Sequence, residues 1–124
     1  MDAEQTYLQD AIRSIGEQFQ HMGNSSTFHI LQTYQAYLKS TPKHVEFELY
    51  RKEILNKPLC VKLVRGAYLV EERRVALEQG YESPVHETKQ DTDDGYNYCA
   101  GLLTDYIGDN DRVSFCLFFK FLNS

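Results

Sequence analysis

Apolar residues recur at three- and four-residue intervals from the start of the chain, at Leu8, Ile12, Ile15 and Phe19. That spacing predicts a helix with one apolar face, ending before the loop-like run His21-Met22-Gly23-Asn24-Ser25-Ser26. Thr27 to Tyr34 is short and rich in β-branched and aromatic residues, which predicts a strand with Gln35-Ala36-Tyr37 at its carboxyl end. Thr41-Pro42 then supplies an N-cap followed by proline at the first helical position, and Val45, Leu49 and Ile54 carry a second helix to about Asn56. Lys57-Pro58 breaks it. Cys60 to Val64 reads as a buried strand ending in Arg65-Gly66-Ala67-Tyr68 and passing at once into a charged helix, Val70 to Gln79, with Gly80 as its left-handed stop. A loop through Tyr81–His86 precedes a longer helix, from Thr88 or Asp91 to Ile107, whose apolar stripe is Tyr98, Ala100 or Leu103, Leu102, Tyr106 and Ile107 and whose stop is Gly108. Arg112 to Leu122 reads as a last strand.

Strands alternating with helices of this length imply parallel βαβ units and an α/β fold. In such folds ligands bind beyond the carboxyl ends of the strands, where the loops converge. Three such ends are readable here: Asp2-Ala3-Glu4, Gln35-Ala36-Tyr37 and Arg65-Gly66-Ala67-Tyr68. Together they offer a carboxylate, an amide and a guanidinium, with small residues that leave room for a planar group. Each also fits a plainer role: Asp2 as a helix cap, Gln35 as a surface amide, Gly66 as the βα turn and Arg65 as a solvated cation. Lys62 lies between Val61 and Leu63, so its side chain faces away from theirs, into a barrel or cleft, unless it guards an exposed sheet edge.

Composition narrows the chemistry. The net charge of −5, with no basic stripe, argues against nucleic acid. Cys60, Cys99 and Cys116 form no paired spacing and read as buried thiols, and the four histidines fall on separate segments, so no metal site is expected. There is no GxGxxG turn or P-loop pattern.

Four ordered stretches, MDAEQTYLQ, TYQAYLK, KLVRGAYLVEERR and GYESPVHETKQDTDDGYNYC, resemble the proline dehydrogenase family, most closely its eukaryotic mitochondrial branch. The resemblance covers about residues 1 to 107. It implies a distorted (βα)8 TIM-like barrel that binds FAD, oxidises L-proline to Δ1-pyrroline-5-carboxylate and passes electrons to a membrane quinone, in the mitochondrion and at a membrane surface. Asp2 matches the family's active-site aspartate and Lys62 its basic active-site residue; these are the expected catalytic residues. Ala3, Gln35, Arg65, Gly66 and Ala67 match positions that contact the flavin.

A complete barrel needs on the order of 250 residues, so the expected architecture is a partial barrel, roughly half of one. Residues 1–108 are expected to be the central part of the barrel and 109–124 a divergent apolar tail. The family's late helix with paired arginines that bind the substrate carboxylate has no counterpart; Arg73-Arg74 belongs to the helix after Tyr68. The chain therefore reads as a central fragment, incomplete as a catalyst, with open sheet edges that favour self-association. Two alternatives stand beside it: a non-catalytic product that associates with full-length subunits, and a hydroxyproline dehydrogenase sibling.

Overall fold

A computed structural model of the 124-residue chain describes residues 5–23, 31–55, 60–109 and 117–120. The elements run α1 (Thr6–Gly23), β1 (Gln32–Gln35), α2 (Thr41–Leu55), β2 (Val61–Val64), α3 (Leu69–Gln79), α4 (Lys89–Asp109) and β3 (Leu117–Lys120). The strands form a parallel sheet in the order β1-β2-β3. Two right-sized crossovers make it: α2 between the first two strands, and α3 with α4 between the last two. This is an α/β fold with a small open parallel sheet, a partial and unclosed (βα) barrel. Among the described residues β1 and β3 are its edges.

The strand alternation sorts the sheet into two faces. Tyr34, Val61 and Leu63 point to one side and are buried with Ala36, Val45 of α2, and Tyr96, Cys99 and Leu103 of α4. Leu49, Ala100, Leu102 and Tyr106 pack around that cluster. Burial holds the Cys99 thiol up at about 11, so it remains a neutral core group. Thr33, Gln35, Lys62 and Val64 occupy the opposite, inner face. Pairing of Thr33 with Lys62 and of Gln35 with Val64 sets them side by side.

On the outer side α1 is tied to α2 by Glu17 and Arg51, 2.9 Å apart. Beneath that pair Glu48 and Lys52 are both buried and lie 3.3 Å apart on successive turns of α2. Burial raises the Glu48 carboxyl, an effect that Lys52 and Arg51 oppose.

Several expected boundaries move. β1 begins at Gln32, with Leu31 outside it, and Thr27–Ile30 lie outside the described residues. α1 continues through His21 to Gly23. Thr41 is the first helical residue rather than the cap. Its hydroxyl donates to the Gln35 carbonyl at 2.5 Å, while Ser40 supplies the carbonyl that receives the His44 N–H. α4 passes through Gly108, since a single glycine weakens a helix by only about 1 kcal/mol relative to alanine. Its buried stripe is Tyr96, Cys99 and Leu103, whereas Tyr98 is exposed and its hydroxyl donates to Glu46. The stop at Gly80 is as expected: its φ is 71°, and its N–H returns to the Ala76 carbonyl. The α1 stripe stays outside the core, with Leu8, Ile15 and Phe19 all exposed.

Candidate active site

The carboxyl ends of β1 and β2 are stitched together beyond the formal strands. Ala36 N–H donates to the Val64 carbonyl and Tyr37 N–H to the Arg65 carbonyl, each at 2.7 Å. The chain after β1 then pairs with the loop between α3 and α4, where Leu38 bridges Val85, Lys39 N–H donates to the Pro84 carbonyl and His86 N–H to the Tyr37 carbonyl. Tyr37, Leu38 and Val85 form a small second core with Leu69 packed on it. The result is a floor of hydrogen-bonded backbone at the strand ends.

Gln35 is held at both ends of its residue. Its backbone carbonyl accepts the Thr41 hydroxyl, and its side-chain Oε1 accepts the Ala67 N–H at 3.2 Å. The buried amide therefore spans from the end of β1 to the turn after β2, its orientation set by a backbone donor. The surface-amide alternative for Gln35 is overturned by that burial.

Gly66 is the tightest point of the turn. Its φ is +140°, and a Cβ placed there would lie 2.4 Å from Cγ of Tyr37. Only glycine lets the aromatic ring lie flat against the backbone at this position. Burial and the nearby Glu72 carboxylate push the Tyr37 phenol well above its ordinary range, so it stays protonated.

Arg65 is partly buried and engaged, not solvated. Its Nε donates to Asp93 at 2.7 Å, and its guanidinium lies over the Tyr96 ring, 4.3 Å from the centroid. Lys89 adds a second cation at 2.6 Å, and the two together hold the Asp93 carboxyl below the usual carboxylate range, Arg65 first. This clasp joins the end of β2 to the N-terminal part of α4.

Lys62 is half-buried on the inner face, two residues before Val64 and diagonal to Gln35, as the alternation of β2 requires. The structure thus brings Gln35, Arg65, Gly66 and Ala67 to one end of one sheet, while Lys62 lies two residues inside β2 on the same face as Gln35. Asp2 and Ala3 lie outside the described residues. Tyr37, read from sequence only as part of a strand end, Thr41, read only as a helix cap, and Asp93, which was not singled out, support the site. Asp93 follows the first turn of α4, whose acidic residue is Asp91, and no local signal pairs it with Arg65. Among the described residues no three His, Cys, Asp or Glu side chains could share a metal ion, and no helix is long and apolar enough to cross a membrane.

The family model for proline dehydrogenase matches residues 1–118. Proline dehydrogenase 2, mitochondrial, of Arabidopsis thaliana is 38% identical over 119 residues, covering 94% of this chain and 25% of that protein. The hydroxyproline dehydrogenase of Xenopus laevis is 33% identical over 112 residues, covering 90% of this chain and 24% of its own length. Among solved structures, proline utilization A from Bdellovibrio bacteriovorus, inactivated by N-propargylglycine, superposes with a TM-score of 0.79 at 26% identity over 95% of this chain and 12% of that one. The chain thus spans about a quarter of the length of these curated relatives.

Proposed function

Because the chain belongs to the proline dehydrogenase family, we propose that it forms one wall of a flavin active site that oxidises L-proline to Δ1-pyrroline-5-carboxylate, with FAD as cofactor and a quinone as onward acceptor in a mitochondrial setting. The observation that carries this reading is the link between Gln35 and the Gly66–Ala67 turn at the carboxyl ends of two neighbouring parallel strands, with Lys62 two residues inside β2 on the same face of the sheet as Gln35. Tyr37 covers the side of Gly66 that a Cβ would occupy, and the small Ala67 beside it leaves the turn without a bulky side chain to hold a flat cofactor away.

Bound FAD supplies the two-electron acceptor. The residues of this chain supply position and charge. Lys62 sets a cation on the inner face, where negative charge develops as the substrate is oxidised. Gln35 presents an amide whose orientation is fixed through Ala67, and Arg65 is pre-set by Asp93 and Tyr96 on the cofactor side of the turn. Asp2 is assigned to organise the active-site charge around the substrate, with Ala3 beside the flavin. L-Proline is favoured over hydroxyproline as substrate because the mitochondrial proline dehydrogenase shares 38% identity and the hydroxyproline enzyme 33%.

A chimera tests the assignment: the Arabidopsis protein carrying residues 1–118 of this chain in place of its own matching segment. It should retain a flavin absorbance band and proline-dependent dye reduction, and Lys62→Met in the chimera should lower kcat by about a hundred- to a thousandfold with flavin retained. A chimera that loses flavin would reject the cofactor wall; a Lys62→Met form with unchanged kcat would reject the role of Lys62.

The exposed Leu8, Ile15 and Phe19 on α1 favour a second role, association with longer family members through that apolar face. Co-purification with a tagged full-length relative would support it, and loss of that capture in Phe19→Ser would tie it to α1.

A further inference from the structure

Tyr37 follows Gln35 by two residues and is built into the strand ends through both of its backbone groups. Its N–H donates to the Arg65 carbonyl at 2.7 Å, and its carbonyl accepts the His86 N–H at 2.8 Å. The residue is only 3% exposed. A Cβ on Gly66 would stand 2.4, 2.5 and 2.6 Å from Cγ, Cδ1 and Cδ2 of Tyr37, nearly equal distances that put that point over the face of the ring. Ring and turn are therefore matched. The turn closes this far because residue 66 has no side chain and can hold φ at +140°, and the ring takes up the space left.

The phenol end of Tyr37 has the Glu72 carboxylate, the Tyr68 backbone and the Gln35 side chain as neighbours. Glu72 is itself buried, and its carboxylate accepts the backbone N–H and the hydroxyl of Thr6, so this wall is fastened to the start of α1. A large ring with bonded backbone and buried neighbours at its tip has little freedom to shift. What lies against it is the amide contact of the site. Ala67 follows Gly66 directly, and its N–H reaches Gln35 Oε1 only while the turn keeps its present distance from β1. At 3.2 Å that bond is at the long end of the ordinary range, so it follows from the placement of the turn more than it causes it.

We propose that Tyr37 is a positioning residue: its ring sets how closely the Gly66–Ala67 turn approaches β1, and through that spacing it orients the Gln35 amide. This rests on the reading of the turn as one that faces the cofactor. Tyr37 needs no contact with flavin or substrate to act in this way. The ring carries the effect rather than the hydroxyl, because it is the ring that meets Gly66.

Amide hydrogen exchange on the 124-residue chain reads this as the rate at Ala67 divided by the rate at Leu63, a ratio that separates local opening of the turn from a shared loss of stability. Tyr37→Leu should raise the ratio by about tenfold, the scale of one neutral hydrogen bond, while Tyr37→Phe, which keeps the ring, should hold it within about twofold. Gly66→Ala drives the ring away from the other side and should raise the ratio as well; it carries the test if Tyr37→Leu does not fold. In the chimera with the Arabidopsis protein, Tyr37→Leu should raise the flavin dissociation constant by about tenfold and shift the bound-flavin absorbance band, and Tyr37→Phe should leave both as in the parent. Exchange needs no flavin, so an unmutated chimera that fails to bind it would count against the cofactor reading while the hold of Tyr37 on the turn stays measurable. A ratio that does not rise in the variants that fold, equal effects of Tyr37→Phe and Tyr37→Leu, or a bound flavin indifferent to Tyr37→Leu would overturn the proposal.

Discussion

The two faces of β1 and β2 are cut from alternate residues of the same short strands, yet they do different work. The outer face carries Tyr34, Val61 and Leu63 and is sealed by Val45 of α2 and by Tyr96, Cys99 and Leu103 of α4. The inner face carries Thr33, Gln35, Lys62 and Val64, three of them polar. A one-residue slip in register would exchange the two sets, placing a lysine against the helices and a leucine in the site. The apolar face therefore does more than stabilise. By fixing register against α2 and α4 it determines that Lys62 and Gln35 arrive on the same side, with the Gly66 turn at the end beside Gln35.

The sharpest way to break this division is to mutate neighbours of opposite face. Leu63→Ala removes a side chain with no exposure and should cost about 2–5 kcal/mol of stability. Lys62→Met, one residue earlier, should stay within about 1 kcal/mol of the parent, because an apolar side chain of similar length replaces a half-buried charge. Urea unfolding midpoints of the 124-residue chain would measure both. Comparable losses from the two would mean that the inner face is as much core as the outer.

Gly66→Ala comes next in size and acts at the junction of the two faces. The new methyl must share space with the Tyr37 ring while the backbone holds φ near +140°, for a loss of about 1–3 kcal/mol. In a Tyr37→Ala background the collision is relieved and the backbone strain is not, so Gly66→Ala should then cost less without becoming neutral. Thermal unfolding of the four chains in that cycle separates the two contributions.

What could be read from sequence follows from how local each cause is. The side of the sheet taken by Lys62 was legible because alternation is a property of three consecutive residues, Val61-Lys62-Leu63. Gln35 and Gly66 were legible as strand-end residues for the same reason. The α4 stripe was legible in part: Leu103 lies in the core with Ala100, Leu102 and Tyr106 packed against it, but tyrosines at 96 and 98 compete for the core and only packing in the fold decides between them. Thr41 has a capping side chain at a helix start, but the Gln35 carbonyl six residues earlier claimed its hydroxyl. The partners Asp93 for Arg65 and Glu72 for Thr6 lie 28 and 66 residues away, so no spacing rule could have paired them.

The smallest effect concerns that first long-range pair and belongs to the polar side of the comparison. The Arg65 guanidinium, with Lys89 beyond it, holds the Asp93 carboxyl below its ordinary range. A folded-state value below the unfolded one means that the pair adds stability above the unfolded pKa, near 3.9, and loses it as pH falls through the lower folded value. Asp93→Asn should therefore melt slightly below the parent at pH 7, and the gap should close as the pH drops below about 4. The effect is small because solvent screens the aspartate, and salt should shrink it further. Leu63→Ala, by contrast, should show the same deficit at both pH values. A gap for Asp93→Asn that persists at pH 3 would mean that the aspartate acts by packing, and that the site end of the sheet is held by the same forces as its outer face.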